Sequence, residues 1–373
     1  MTADGRTERY HDLDWIKVFV MLIVFLYHVS MFFNSFEWHI KNNEIDKTYI
    51  ETFSLLTGNW MMPVFFVISG IGTFHALQKR SARGFVKERL LRLGLPLLLG
   101  VFVLSPPQVY VERAVNQQFD GSYFSFIPRY FDGIYLEIGG TGNFAFFGHH
   151  LWYLLMLLIF SFATLPLFLK RRKDVSEKPF RLLHYLILPL PLGMAVVWFN
   201  DLVNLASWGI IFYLLLYAYG FYFFARAELR KFVRKHGLAA GGIGLAATVG
   251  YVLWAARLGF PEAGTIEFVM FSLVRVVLAW NALFFILYLG DKFLNFSNGV
   301  LRYTSEASMP FYVLHQPVLV LFGFVIYRLE WSVSAKWVLM TFFSFLVIMS
   351  FYHFAVRKSN VLRIFLGLRG TKT

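Results

Sequence analysis

Stretches of almost unbroken apolar residues recur along the whole chain, separated by short polar, charged or proline-containing connectors. Ten can be drawn, at 15–34, 53–77, 90–104, 151–169, 182–199, 205–225, 238–256, 268–289, 309–327 and 338–356. A helix rises about 1.5 Å per residue, so about 20 apolar residues match a hydrocarbon core of about 30 Å. The pattern therefore predicts an all-α integral membrane protein, a bundle of about ten transmembrane helices forming a single membrane domain over 1–373. The third stretch is the shortest and ends at Pro106-Pro107, and the fifth carries Pro189 and Pro191, so both are expected to kink or tilt. Glycines between Gly237 and Gly250 predict a seventh helix packed closely on a neighbour.

Composition agrees, because a chain that is 58% hydrophobic and 15% charged is too apolar for a soluble globule. Charge then orients it. With the N-terminus in the cytoplasm, the inner segments hold 26 of the 35 lysines and arginines and the outer segments hold seven, leaving Lys17 and Arg275 within spans. That bias predicts both termini on the cytoplasmic side, with an inner arm at 1–14 and an inner tail at 357–373. The net charge of +13 follows from topology, so no nucleic-acid partner is expected. The absence of cysteine excludes disulfides, thiolate metal sites and a cysteine nucleophile. No metal site is expected, since no histidine pair at i,i+4 with a nearby glutamate occurs, and no phosphate-cradling glycine loop is present. The first apolar stretch is of full spanning length without a small-residue cleavage site, so no cleavable signal peptide is expected.

Two polar residues interrupt the first stretch. Lys17 and His28 are eleven positions apart, which returns them to within about 20° on a helix, separated by about 16 Å along its axis. One face thus carries a cation near the membrane surface and an imidazole deep in the hydrocarbon, where ionisable groups are costly and mark function. The longest connector, at 105–149, falls on the outer side and is longer than a plain loop requires. Its aromatic residues, among them Tyr123, Phe124, Tyr130, Tyr135 and Phe146, lie among Asp120, Asp132 and Glu137. Such a set suits sugar rings, and equally suits interfacial aromatics resting on headgroups.

Leu13-Asp14, a basic residue at 17 and His28 ten intervening positions later resemble the first-helix signature of the integral-membrane acyltransferase-3 family, usually Arg-x10-His. Phe65-Phe66-Val67-Ile68-Ser69-Gly70 is similar to its second-helix motif, and Arg89, Arg92 and Pro96 to its basic opening of the third helix. Trp38-His39, His150-Leu151-Trp152-Tyr153-Leu154, and Ala307-Ser308 through Tyr312, Leu314, His315 and Pro317 are similar to the glucan biosynthesis protein C branch, which places succinyl groups on periplasmic glucans. The likeness covers nearly the whole chain. Position 17 departs from it: lysine keeps the charge but loses the bidentate fork of arginine.

The resemblance implies an O-acyltransferase of the bacterial cytoplasmic membrane, moving a succinyl or acetyl group from acyl-CoA to a hydroxyl of an extracytoplasmic glycan. Acyl-CoA would be a co-substrate, with no permanently bound cofactor. Such transfer needs a base for the hydroxyl proton and a hold on the donor. Imidazole titrates near neutrality, and thirteen residues from Trp15 place His28 about 20 Å into the membrane, so His28 is the expected base. Lys17, Ser69, Arg89, Arg92 and His315 are expected on the donor side. Arg89 and Arg92, three apart, are expected to share a helix face. His315, six residues into the ninth stretch, is expected to lie less deep than His28. Trp38, His39, His150 and Trp152 are expected at the acceptor mouth. Arg275 is expected to snorkel, and an orienting partner for His28 is sought on another helix, with Asn59 and Asn281 as candidates. Direct attack is favoured over an acyl-imidazole. A transporter of anionic metabolites or acylated glycan precursors is the rival reading, although no internal repeat with matching broken helices is visible. A membrane scaffold would leave the deep polar residues unexplained, and self-association stays open.

Overall fold

A computed structural model describes residues 10–171, 179–200, 202–226 and 228–370. The first nine residues of the expected inner arm and the last three of the expected tail lie outside the described residues. In chain order the helices are α1 (His11–Met31), α2 (Tyr49–Gly58), α3 (Met61–Lys79), α4 (Ala82–Arg89), α5 (Leu95–Leu99), α6 (Ser105–Val115), α7 (Tyr123–Phe126), α8 (Trp152–Arg171), α9 (Leu182–Ile187) and α10 (Pro189–Phe199). A two-residue-strand hairpin follows, β1 (Asn204–Leu205) and β2 (Trp208–Gly209), then α11 (Ile210–Tyr219), α12 (Leu229–Leu258), α13 (Ile266–Phe293), α14 (Gly299–Ile326), α15 (Val333–Phe354) and α16 (Asn360–Phe365). Among the described residues, nine helical segments are long and apolar enough to cross a membrane, so the chain is an all-α multi-pass membrane protein. The expected sixth span is a shorter apolar helix, Ile210–Phe224. Its first residues turn back instead as the β1–β2 hairpin, with Ala206 and Ser207 at positive φ in the turn.

Prolines act where the pattern placed them, but not always as expected. Pro189 separates α9 from α10. Pro106 and Pro107 do not end the third segment. They sit in the first turn of α6, where the carbonyl left without an N–H partner is met from outside the helix, the Tyr130 hydroxyl donating to the Val101 carbonyl, and the helix runs on to Val115. The segment is continuous from Ala82 to Val115, with wide turns at Leu90–Gly94 and Gly100–Leu104 on either side of α5. The long connector is therefore 116–148, shorter than the pattern suggested.

The chain divides into two compact units. One comprises 1–20, 55–82 and 163–305, and the other 21–54, 83–162 and 306–373. In the first unit, α12 lies along α13, and the expected glycine face is the contact. A Cβ added at Gly237 would lie 2.3 Å from the Tyr288 Cβ, and one at Gly241 would lie 2.5 Å from the Phe285 ring. Closer still is α3 against the end of α11: a Cβ on Gly70 would meet the Tyr217 carbonyl oxygen at 2.1 Å, and one on Gly220 the Val67 carbonyl oxygen at 2.2 Å. The backbones touch, so only glycine fits.

In the second unit the turn after α1 is held by polar groups. The Lys41 ammonium donates to the carbonyls of Met31 and Phe36 and to Asn34 Oδ1, closing the carboxyl end of α1 where a cation complements the helix dipole. Asp46 Oδ1 accepts the N–H groups of Thr48, Tyr49 and Ile50 and so starts α2. This connector carries its own core, in which Phe126, Tyr130, Tyr135 and Ala145 pack on Val109 of α6. Most of the loop aromatics expected to face a sugar therefore face one another, and Phe124, Phe131 and Phe146 are the large apolar ones left exposed.

Candidate active site

His28 stands near the end of α1 in the second unit, where five histidines gather. Its Nδ1 lies 2.9 Å from His315 Nε2. His315 Nδ1 lies 2.7 Å from the Tyr312 carbonyl oxygen, one turn back on α14. A carbonyl only accepts, so His315 Nδ1 carries a proton, and in the neutral ring Nε2 is the acceptor. His28 Nδ1 must then be the donor. The proton of His28 is thereby placed on Nδ1, and Nε2 carries the lone pair. His315 is fully buried, whereas His28 keeps intermediate exposure.

His315 is thus level with His28, and not shallower as its place in the apolar stretch suggested. α14 begins at Gly299, ten residues before the stretch does, because its first turns carry Arg302, Thr304 and Glu306. Asn59 and Asn281 do not partner His28: Asn59 Oδ1 accepts from Arg275, and Asn281 Oδ1 from Tyr185.

A proline sets the next ring. Pro317 has no N–H for the carbonyl of Val313, four residues back, and His150 Nε2 takes that place, lying 3.2 Å from Val313 O and 3.1 Å from Tyr312 O. The Tyr312 hydroxyl donates back to the His150 carbonyl. His150 Nε2 is therefore the protonated nitrogen, and its Nδ1 is buried with no partner. The His150 and His315 rings lie 4.9 Å apart, and on the other side the Trp38 indole stacks on His28 with ring centroids 5.3 Å apart. Trp38 Nε1 is a buried donor without an acceptor, and His149 Nε2 is likewise unpartnered. His149 follows Gly148 in the left-handed region, φ 52° after φ 68°. Its ring is thereby turned edge-on against His39 and Tyr135. Unpaired buried polar atoms are rare and mark places where a ligand or water completes the set.

The protonation of His39 is fixed by a second chain of contacts. Gln108 Nε2 donates to the Leu104 carbonyl, which turns its Oε1 toward Gln316 Nε2, and that amide also donates to His39 Nε2. His39 Nδ1 then carries the proton, donated over 2.6 Å to Glu112 Oε2. Glu112 also accepts from the Tyr135 hydroxyl, Gly139 N–H and Arg113 Nη1. Both oxygens accept, so Glu112 is a carboxylate. Burial, then the adjacent Glu112 charge, holds the Tyr135 phenol well above its ordinary range, so it remains a donor. Arg113 completes the fastening of the 116–148 connector through Asn143 Oδ1, Gln118 Oε1 and the Gly142 carbonyl.

Glu112, Arg113, His149, Gln108 and Gln316 are not among the expected site residues, and Tyr135 is expected only as a loop aromatic. A Glu-Arg pair in an apolar run and a doubled histidine at 149–150 were the available signals, obscured because α6 was read as loop.

Trp152 is half-buried in the first turn of α8 beside Tyr153. Arg89 and Arg92 lie on either side of the start of a wide turn. Arg89 lies over the Phe85 ring, while Arg92 Nε donates to the Gly367 carbonyl and its Nη1 lies 3.8 Å from Glu88. In the first unit Lys17 is half-exposed and ion-paired to Asp14 at 2.6 Å, and Ser69 adjoins the glycine contact of α3 with α11.

Comparison with known proteins agrees with these features. Residues 10–353 match the family described as acyltransferase domain. The glucans biosynthesis protein C of Escherichia coli strain HS is 23% identical over 334 residues, covering 85% of this chain and 83% of its own length. The protein of that name from strain 536 is 24% identical over 335 residues with the same coverage. No solved structure gives a significant match. With a multi-pass helical fold and a match that leaves out only the ends, the chain belongs to the acyltransferase-3 family and is a membrane acyltransferase.

Proposed function

We propose that the protein moves a short acyl group, succinyl or acetyl, from cytoplasmic acyl-CoA to a hydroxyl of an extracytoplasmic glycan, with His28 Nε2 as general base. The observation that carries this reading is the chain from the Tyr312 carbonyl through His315 to His28, which leaves the lone pair on Nε2 of a ring of intermediate exposure. A base held in one tautomer by a third group is the arrangement nucleophile activation needs. The acceptor oxygen attacks the thioester carbonyl carbon while its proton passes to His28 Nε2. The tetrahedral intermediate collapses with cleavage of the C–S bond, and the proton returns from Nε2 to the departing thiolate. The unpartnered Trp38 Nε1, on the indole stacked against His28, is a candidate donor for the developing oxyanion, and His149 and His150 offer sites to acceptor hydroxyls. His315 takes the orienting role in place of the donor-side role.

The named relatives support a glucan as the acceptor class, and the family match supports acyl transfer over the transporter reading. The charge bias supports cytoplasmic termini and donor delivery from the inner side of a bacterial cytoplasmic membrane. The test is mass spectrometry of periplasmic glycans from cells carrying wild type or His28→Ala at equal membrane levels. A mass increment of one succinyl or acetyl group, present only with wild type, is expected; equal acylation by the variant refutes the assignment of His28.

A further inference from the structure

The first unit holds a second buried polar centre that the reaction does not use. Arg275, on α13, is 9% exposed and does not snorkel. Its Nε donates to Asn59 Oδ1 at 2.9 Å and its Nη2 to the Ser207 carbonyl at 2.7 Å, and its guanidinium lies over the Trp208 ring, 4.3 Å from the centroid. Asn59 is fixed in turn, its carbonyl accepting from Trp208 Nε1 at 3.1 Å. All these partners are neutral, and Arg275 makes no ion pair among the described residues. A guanidinium has five N–H groups. The two bonds leave both Nη1 hydrogens and one on Nη2 unmatched, and the two nitrogens together present the fork that grips an oxyanion. One turn earlier on the same face, Ser272 is fully buried and its hydroxyl has no partner. The Ser207 carbonyl that braces the guanidinium is held by a turn with Ala206 and Ser207 both at positive φ, a conformation alanine and serine seldom adopt.

We propose that Arg275 and Ser272 form a binding site for a single oxyanion group, carried either on the headgroup of an anionic lipid or on a small soluble solute. An arginine taken out of water without a counter-ion is unfavourable, and an arriving oxyanion supplies the missing charge and accepts from the unmatched N–H groups. The aromatic faces of Trp208 and Phe271 exclude water from the pair and strengthen it.

The protein is purified, freed of lipid in a neutral detergent and titrated with inorganic phosphate, with phosphatidylglycerol and with phosphatidylcholine, the unfolding temperature being followed. Wild type is expected to show a saturable rise with phosphate or with phosphatidylglycerol, and none with phosphatidylcholine. A response to phosphate identifies a soluble oxyanion; a response confined to phosphatidylglycerol identifies a headgroup. Arg275→Gln is expected to weaken the apparent affinity at least tenfold, and Arg275→Lys, which keeps charge without the fork, several-fold. Should Arg275→Gln not fold, Arg275→Lys and Ser272→Val decide: an anion response unchanged in both overturns the site. So does a wild type that no anion stabilises, or an Arg275→Gln protein that is less stable yet responds to anions as wild type does, which would make Arg275 a brace for the hairpin alone.

Discussion

Replacing His315 by leucine removes the acceptor for His28 Nδ1–H while filling a fully buried site with a side chain of similar size. His28 then loses the group that keeps its proton on Nδ1, and the tautomer with Nε2 protonated, useless as a base, becomes populated. Leaving a buried donor without its partner costs about 1–3 kcal/mol. If that cost falls on the reactive tautomer, turnover drops about 5- to 150-fold. Removing the base itself, in His28→Ala, should cost about 10²–10⁴-fold. His315→Gln keeps an amide oxygen that can accept from Nδ1–H and should lose less than leucine does. The order His28→Ala, His315→Leu, His315→Gln, wild type is the signature. The assay is release of coenzyme A thiol from succinyl- or acetyl-CoA by protein in nanodiscs with a glucan acceptor, and with no cysteine in the chain a thiol reagent reports only product. Wild-type turnover by His315→Leu at equal folding would refute the tautomer chain as the determinant of the basic nitrogen.

Pro317→Ala restores an N–H to the Val313 carbonyl and so competes with His150; the thermal midpoint should hold or rise while turnover falls several-fold, and unchanged turnover would remove His150 from the site. Glu112→Gln strips the charge that Arg113, His39, Tyr135 and Gly139 address, and should destabilise the second unit by about 3–5 kcal/mol, against about 1–2 kcal/mol for Tyr135→Phe, both read by denaturant unfolding of solubilised protein. Gly70→Leu drives a side chain into the Tyr217 carbonyl and should abolish recovery of monodisperse protein, while Gly72→Leu, with open space around it, should not. Burial lowers Lys41 to about 8, from an ordinary value near 10.5, against an opposing pull from Glu51. The folded state therefore binds fewer protons than the unfolded state between about pH 8 and 10.5, and the burial penalty is relieved as pH rises through that window. Stability of wild type relative to Lys41→Met should rise with pH there, and a dimethyl-lysine resonance assigned to Lys41 should titrate with a midpoint near 8.

The helices were readable from the chain because membrane solvent demands long apolar runs, and the Gly237–Gly244 contact because glycine in such a run has few other uses. His28 stood out for the same reason, as an imidazole in an apolar run. What could not be read was pairing. Nothing in Arg-x10-His-type spacing says that His315, 287 residues later, lies 2.9 Å from His28. The third span does not end at Pro106-Pro107, because the carbonyl that proline leaves unpaired finds a partner off the helix, the Tyr130 hydroxyl, which spacing alone does not reveal. Reading a stop there put Glu112 and Arg113 in a loop and hid the network they anchor. Arg275 was misjudged because snorkelling is decided by what surrounds a residue, and Asn59, Ser207 and Trp208 come from two distant parts of the sequence.

The fastening of residues 116–148 has a consequence for how a polymer would be handled. A segment pinned through a buried carboxylate and a guanidinium at its base behaves as masonry and not as a door: lifting it would strand both charges in an apolar interior. A chain of sugars would meet a rim already shaped, with no engulfing motion repeated at every turnover. Strands of any length, too long ever to be enclosed, could then present one hydroxyl after another to the same fixed ledge.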